Sequence, residues 1–225
     1  MNKRYYLIVI FFFIIFKYSI NSANSNIIYD KNNIIVTNID LNQFKKIYYD
    51  NENEKLNNAD ALKKIIFYKD TIYKIKLDQP ELLSKLDEEI NTQINFTSIS
   101  NIHLDYIRFK KIKSIYVREY FYEEFQISEL KRIFNNINKI ELPISKNNCQ
   151  TFEALIDFKN DELFLKNFFN NIKENKNDYS YIYNNEKYLI CMSQKNFKIL
   201  EKLILNYISN KVLDNIKKYT YSNKT

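Results

Sequence analysis

The chain of 225 residues contains no glycine, whereas an average chain carries about 7%. Glycine adopts left-handed backbone conformations at no steric cost and lets a backbone approach a phosphate closely. P-loops, GxGxxG dinucleotide fingerprints, GxSxG nucleophile elbows and KH-type GXXG loops are therefore excluded as usually written. Turns must rely on Asn and Asp, which tolerate the left-handed conformation better than most residues. The pair Asn184-Asn185 is typical of such a turn.

The rest of the composition indicates an AT-rich genome. Tryptophan is absent, and Tyr and Phe are abundant, at 19 and 17 residues. These preferences follow codon bias, so they carry little information about function.

The N-terminus has the three parts of a secretory signal peptide. Lys3 and Arg4 precede an apolar run over residues 5–16, which Lys17 ends. A helix needs roughly 20 apolar residues to cross a bilayer core, so this run is too short to span comfortably. We expect a signal peptide over residues 1–22, cleaved after Ser22 or Ala23, and a mature chain that is secreted, periplasmic or in the secretory lumen. An uncleaved anchor is the alternative; after cleavage no membrane span is expected.

The net charge does not indicate a polyanion partner. Without Lys3, Arg4 and Lys17, the 34 basic residues become 31 against 27 acidic ones, so the net charge falls from +7 to +4. This excess is too small to predict nucleic-acid binding. We expect no nucleic-acid partner.

Cys149 and Cys191 are the only cysteines. In an oxidising compartment two cysteines most simply form one disulfide. The sequence therefore predicts a Cys149–Cys191 bond, with two buried thiols as the alternative.

The order of apolar patterns predicts an α+β fold with a mainly antiparallel sheet and helices packed on one face. Alternating or aromatic-rich segments are interpreted as strands over residues 33–40, 71–77, 101–109 and 114–125, the last two forming a hairpin around residues 110–113. Helical stripes lie between and after them. One has Asp40 as its possible cap, the clearest follows Pro80, and one over residues 161–172 has acids in its first turn. Residues 179–193 are interpreted as a second hairpin. We expect an N-terminal α+β region over 23–138, a C-terminal β-α-β-β-α region over 139–215 that could form a second small subdomain, and a polar tail over 216–225.

No group of residues in the sequence identifies the chain as an enzyme. His103 is the only histidine, and neither it nor the cysteines show the spacing of a zinc site or a catalytic triad. Paired carboxylates could run hydrolytic chemistry only across a cleft; acids cluster at residues 87–89, 123–124 and 161–162. A small secreted hydrolase using His103 or a carboxylate pair stays an alternative, and we expect neither a cofactor nor a metal.

The segment 114–125 is the most distinctive. As a strand, it would place four residues of the types enriched in binding hot spots on one face, namely Tyr116, Arg118, Tyr120 and Tyr122. That face could also lie under a helix. The hypothesis is a non-catalytic protein that binds another protein through this face; a signal-anchored envelope assembly factor is a further alternative.

Overall fold

The computed structural model describes residues 25–93, 99–137, 161–174, 178–183, 186–191 and 194–221. Within these ranges seven α-helices dominate. In chain order the elements are β1 (Ile27–Lys31), β2 (Ile34–Thr37), α1 (Asn38–Glu52), α2 (Asn58–Asp78), α3 (Pro80–Gln93), α4 (Asn101–Glu119), a π-helix (Tyr120–Glu124), α5 (Ile127–Ile137), α6 (Glu162–Lys173), β3 (Asp178–Tyr183), β4 (Glu186–Cys191) and α7 (Gln194–Tyr221).

The chain divides into two compact units within α4, the first ending at Lys110 and the second beginning at Lys111. The boundary predicted between residues 138 and 139 lies outside the described residues and stays a prediction. Residues 1–22 and Cys149 also lie outside them, so the signal peptide and the disulfide stay predictions as well. No helix among the described residues is long and apolar enough to cross a membrane.

The predicted α+β class with a mainly antiparallel sheet is wrong. The strands of the described residues form only two separate two-stranded sheets, β1 with β2 and β3 with β4. Helices bury one another's apolar faces instead of covering a sheet. The hairpin predicted at β3 and β4 is confirmed, and β2 lies within the strand predicted over residues 33–40.

The strand predicted over residues 71–77 is the last part of α2. Neither Gly nor Pro occurs within α2, so nothing in the sequence stops the helix before Pro80. Ile65, Ile72 and Ile75 are buried, at helical spacing. Leu77 is exposed, which contradicts the period-two pattern that grouped it with Ile75.

The predicted hairpin around residues 110–113 is also wrong, because α4 runs through it. Ile102, Tyr106, Phe109 and Ile112 are all buried. Their spacing of four, three and three residues places them on one side of a helix. The β-branched and aromatic residues of this segment favour strands locally. Only a helix, however, places all four of these buried residues on one side.

The β1–β2 hairpin shows how a glycine-free chain turns. Lys31 pairs with Ile34, which leaves Asn32 and Asn33 as a two-residue loop. Both have positive φ angles, 55° and 61°, as a type I′ turn requires at its two central positions. Asparagine thus takes the place that glycine usually holds.

Side chains cap the N-termini of three helices among the described residues. Asn57 caps α2 by accepting from the Asp60 N–H at 2.9 Å. The Thr37 hydroxyl caps α1 by accepting from the Asp40 N–H at 3.1 Å, and the Asp40 carboxylate accepts from the Thr37 N–H at 3.0 Å, which forms a capping box. The prediction that Asp40 is the cap of this helix is therefore wrong, because Asp40 lies three residues beyond the cap. Asp161 caps α6 through the Phe164 N–H at 2.9 Å.

In the first unit, α1, α2 and α4 meet in an aromatic core. Phe44 lies at its centre, with ring centroids 5.7 Å from Tyr68 and 6.2 Å from Tyr106. Tyr68 stacks on Phe109 at 3.8 Å. Arg108 makes two 2.7 Å hydrogen bonds to the Asp87 carboxylate and so joins α4 to α3.

Candidate functional site

The four predicted binding residues do not share one face, because the strand that would align them does not form. α4 ends at Glu119 and the π-helix follows. Tyr116 is half-buried and Tyr120 is buried, with 8% of its surface exposed. Arg118 is exposed, and Tyr122 has 51% of its surface exposed. The structure therefore presents two of the four outward.

The π-helix turns two successive aromatic side chains inward. The Phe125 N–H donates to the Tyr120 carbonyl at 2.8 Å, the wide i→i+5 bond of a π-helix. Tyr120 and Phe121 are both buried, whereas Tyr122 is exposed. Short π segments are rare and occur often at functional sites, so this segment is the natural place to look for one.

Aromatic contacts hold the π-helix and the residue that ends it against two other helices. The Phe121 ring lies 5.9 Å from Phe169 of α6, edge to face. The Phe125 ring lies 5.1 Å from Phe169 and 6.4 Å from Tyr207 of α7. Burying these large rings contributes several kcal/mol in total, on the order of 1.5–3 for each fully buried side chain.

A buried carboxylate, that of Glu129, lies beneath the π-helix. We call Glu129 and its partners Tyr120, Gln126 and Lys211 the Glu129 cluster. Glu129 is 5% exposed. One of its oxygens accepts a hydrogen bond from the Gln126 N–H at 3.1 Å. The Tyr120 hydroxyl donates to the carboxylate at 3.0 Å and the Tyr207 hydroxyl of α7 at 3.5 Å. The Lys211 ammonium of α7 forms an ion pair with it. The π-helix, α5 and α7 therefore meet at one carboxylate.

The electrostatics of the cluster hold the ion pair charged. Burial alone would raise the pKa of Glu129, but hydrogen bonds from Lys211, the Gln126 backbone and Tyr120 outweigh it, so the pKa of Glu129 is lowered. The hydrogen bond to Glu129 raises the pKa of Lys211. Burial raises the pKa of Tyr120. A carboxylate held ionised and a phenol held protonated are poor proton-transfer groups near neutral pH, so the cluster acts as an anchor.

A second anchor holds the outer side of the π-helix. The Lys173 ammonium, at the end of α6, donates a hydrogen bond to the Tyr122 carbonyl at 2.9 Å. Its nitrogen also lies 4.5 Å from the centroid of the Phe169 ring, a cation–π contact. The backbone of Tyr122 is therefore fixed while its side chain faces solvent.

Several of the residues named for the hydrolase alternative make structural contacts among the described residues. His103 is half-buried in the first turn of α4, where its backbone N–H donates to the Ser100 carbonyl. Asp87 is engaged with Arg108, and Asp161 caps α6. In the part of the chain that the structure describes, no three His, Cys, Asp or Glu residues are placed to hold a metal ion.

Comparison of the chain with protein-family models, with curated proteins and with solved structures gave no match. The candidate site therefore stands on its geometry alone.

Sequence reasoning missed Glu129, Lys173 and Lys211. A local signal existed for the first, because an acid three residues after the cap position is half of a capping box. Nothing local marks the two lysines. Lys211 is 82 residues from Glu129, and Lys173 is 51 residues from Tyr122.

The lowered pKa of Glu129 predicts a specific pH dependence of stability. Because its folded pKa lies below the ordinary value of 4.5, Glu129 stabilises the fold above that value, and this contribution is lost as the pH falls through the folded pKa. Glu129→Gln should reduce stability at pH 7 and flatten its decline towards about pH 3.5, measured by urea unfolding.

Glu124→Gln is the matched control, since Glu124 is exposed on the π-helix. It should keep the wild-type pH dependence. A Glu129→Gln variant whose stability declines with acid as steeply as the wild type would show that Glu129 does not carry this effect.

Proposed function

We propose that the mature chain is a secreted or periplasmic protein that binds another protein, without a cofactor, through the surface formed by Arg118 and Tyr122. The observation that carries the proposal is an outward-facing tyrosine on a π-helix that is anchored from below by the Glu129 cluster and from the side by Lys173. We call this pair the Arg118–Tyr122 surface.

The two side chains suit binding by type and by position. They are four residues apart along a continuous helical path, so they are neighbours on its outer side. Tyr and Arg are the types enriched among residues whose truncation costs most binding energy. A tyrosine contributes a large apolar ring together with a hydroxyl, and an arginine contributes up to five hydrogen-bond donors.

Rigidity of the backbone supports the same proposal. The Tyr122 ring packs edge-to-face on the buried Phe121 ring at 5.1 Å, so its orientation is partly set before a partner arrives. Lys173 holds its carbonyl. A group that is already ordered loses less conformational entropy on binding, which leaves more of the contact energy as affinity.

Exposed acids adjoin Arg118 and Tyr122 along the chain and support a partner of particular chemistry. Glu119, Glu123 and Glu124 are all exposed. Complementary charge favours a partner that presents basic side chains around an apolar or aromatic contact, with an acceptor for Arg118. The same acids disfavour nucleic acid, whose phosphates they would repel.

The binding proposal is tested with the double variant Arg118→Ala/Tyr122→Ala. Wild-type protein captures the partner from the native extracellular or envelope fraction, and the affinity of the purified partner is then measured for both forms. Truncating two central residues should weaken binding by a factor of about ten or more. Tyr120 is left intact because it is buried and its loss would disturb folding.

Arg132→Ala/Tyr221→Ala is the matched control, since it removes the same residue types from exposed positions of the same unit. The control should bind like the wild type. Unchanged affinity in a folded Arg118→Ala/Tyr122→Ala variant would reject this surface.

Secretion is tested separately by N-terminal sequencing of the mature protein from its native source. A chain that begins at Ala23 or Asn24 is the expected result of signal-peptide cleavage. A chain that begins at Met1 or Asn2 would contradict cleavage and favour the signal-anchored alternative.

A further inference from the structure

One ammonium group joins the buried carboxylate to the π-helix. The Lys211 side chain forms an ion pair with Glu129, and its nitrogen lies 5.5 Å from the centroid of the Tyr120 ring, a cation–π contact. The Tyr120 hydroxyl donates to the same carboxylate at 3.0 Å. Each of the three side chains therefore contacts the other two, so the loss of the negative charge would weaken more than one contact.

The two partners of the ion pair differ in their access to water. The Glu129 side chain is 7% exposed, whereas the Lys211 side chain is 41% exposed. An ammonium that loses its counter-ion can return to water, because a long lysine side chain readily places its charged end in solvent. Lys211 is therefore the partner that leaves when the carboxylate becomes neutral, and α7 then loses its charged contacts with the π-helix.

The groups that contact the carboxylate come from three places in the chain. Tyr120 belongs to the π-helix, and Gln126 contributes its main-chain N–H just before α5. Tyr207 and Lys211 belong to α7. Phenols and ammonium groups stay protonated throughout the acid range. Glu129 is therefore the one member of this set that gains a proton in acid.

Among the described residues, no other charged side chain of these elements, or of α6, contacts the Glu129 carboxylate. All the others nearby are exposed or half-buried, where solvent screens their effect on Glu129. They include Glu123 and Glu124 of the π-helix, Lys131 and Arg132 of α5, Lys173 of α6 and Asp214 of α7.

We propose that Glu129 is an acid-sensitive latch: protonation of its carboxylate frees the Lys211 side chain, opens the π-helix and weakens binding at the Arg118–Tyr122 surface. Burial acts to raise the pKa of Glu129, but the hydrogen bonds that the carboxylate accepts outweigh burial and hold the pKa below its ordinary value of 4.5. The latch is therefore closed above that value and opens as the pH falls through the lowered pKa. Only the consequence for binding rests on the proposed function.

Opening of the π-helix is tested by amide hydrogen exchange of the full wild-type chain across a pH series, resolved to single residues and expressed as protection factors. The Phe125 N–H reports the π-helix, since it donates to the Tyr120 carbonyl at 2.8 Å. The Phe168 N–H reports the rest of the unit, since Phe168 is buried within α6. Between pH 7 and about pH 3.5, protection should fall about tenfold at Phe125 and stay within about twofold at Phe168.

Two results of this experiment would overturn the latch. Protection at Phe125 that does not change with pH would show that the carboxylate does not hold the π-helix closed. Protection that falls equally at Phe125 and Phe168 would show that acid unfolds the unit as a whole.

The variant Lys211→Met tests the ion pair. Without the ammonium the ionised form of Glu129 is less favoured, so the pH at which Phe125 loses protection should rise. Lys217→Met is the matched control, since Lys217 pairs with the exposed Asp214 on the same helix. It should leave that pH unchanged. A Lys211→Met variant that opens at the wild-type pH would contradict the role of the ion pair.

The consequence for binding is tested at pH 7 with Glu129→Gln, which imitates the protonated carboxyl without exposing the partner to acid. Protection at Phe125 should already be low, and the affinity for the purified partner should be about tenfold weaker than that of the wild type. Glu162→Gln, at an exposed position of α6, should bind like the wild type. A Glu129→Gln variant with wild-type affinity would overturn the link to binding.

Failure of the latch and failure of the surface give different results. If the Arg118→Ala/Tyr122→Ala variant binds like the wild type, the surface is rejected, and the exchange of Phe125 still decides whether Glu129 holds the π-helix closed.

Discussion

The burial of one carboxylate, that of Glu129, organises the part of the second unit that carries the candidate site. A buried carboxylate is costly unless hydrogen bonds and a positive charge compensate it. Here the compensation comes from the Tyr120 hydroxyl, the Gln126 N–H and the Lys211 ammonium. The π-helix, the start of α5 and the middle of α7 are therefore joined at one point.

The same arrangement explains why the chain departs from an α-helix where it does. The wider turn places Tyr120 and Phe121 side by side in the interior, one reaching the carboxylate and the other reaching Phe169. It leaves the side chain of Tyr122 outside and its carbonyl facing Lys173. The position of the exposed Tyr122 side chain is thus set by the buried residues Tyr120 and Phe121.

The absence of glycine shapes the fold in two ways. At left-handed positions the chain uses asparagine: Asn32, Asn33 and Asn53 have positive φ angles among the described residues. The sequence predicted this substitution, because the side chains of Asn and Asp make such conformations tolerable. Within helices, a chain without glycine and with two prolines has few residues that stop a helix. α2 and α4 therefore continue through segments with strong β propensity, where the sequence pattern had predicted strands.

The features that could be predicted are therefore local ones. Helix starts at Pro80 and Asp161 and the hairpin of β3 and β4 follow from residues within a few positions of each other. The class of the fold could not be predicted in this way. In α4, tyrosine, isoleucine and valine favour a strand locally. The segment is a helix because only a helix buries the stripe from Ile102 to Ile112. The ion pair of Glu129 with Lys211 spans 82 residues and leaves no local trace.

Buried and exposed groups of the second unit have different roles. Buried charge and aromatic rings fix the π-helix, and the side chains of Arg118 and Tyr122 are exposed on it. Tyr120 and Glu129 therefore stabilise the fold together. A double-mutant cycle of Tyr120→Phe and Glu129→Gln, read as free energies of unfolding, measures their coupling. A coupling energy of about 1 kcal/mol is expected, whereas the distant pair Tyr120→Phe and Thr37→Ala should be additive. Additivity of Tyr120→Phe and Glu129→Gln within about 0.3 kcal/mol would show that the two residues act independently.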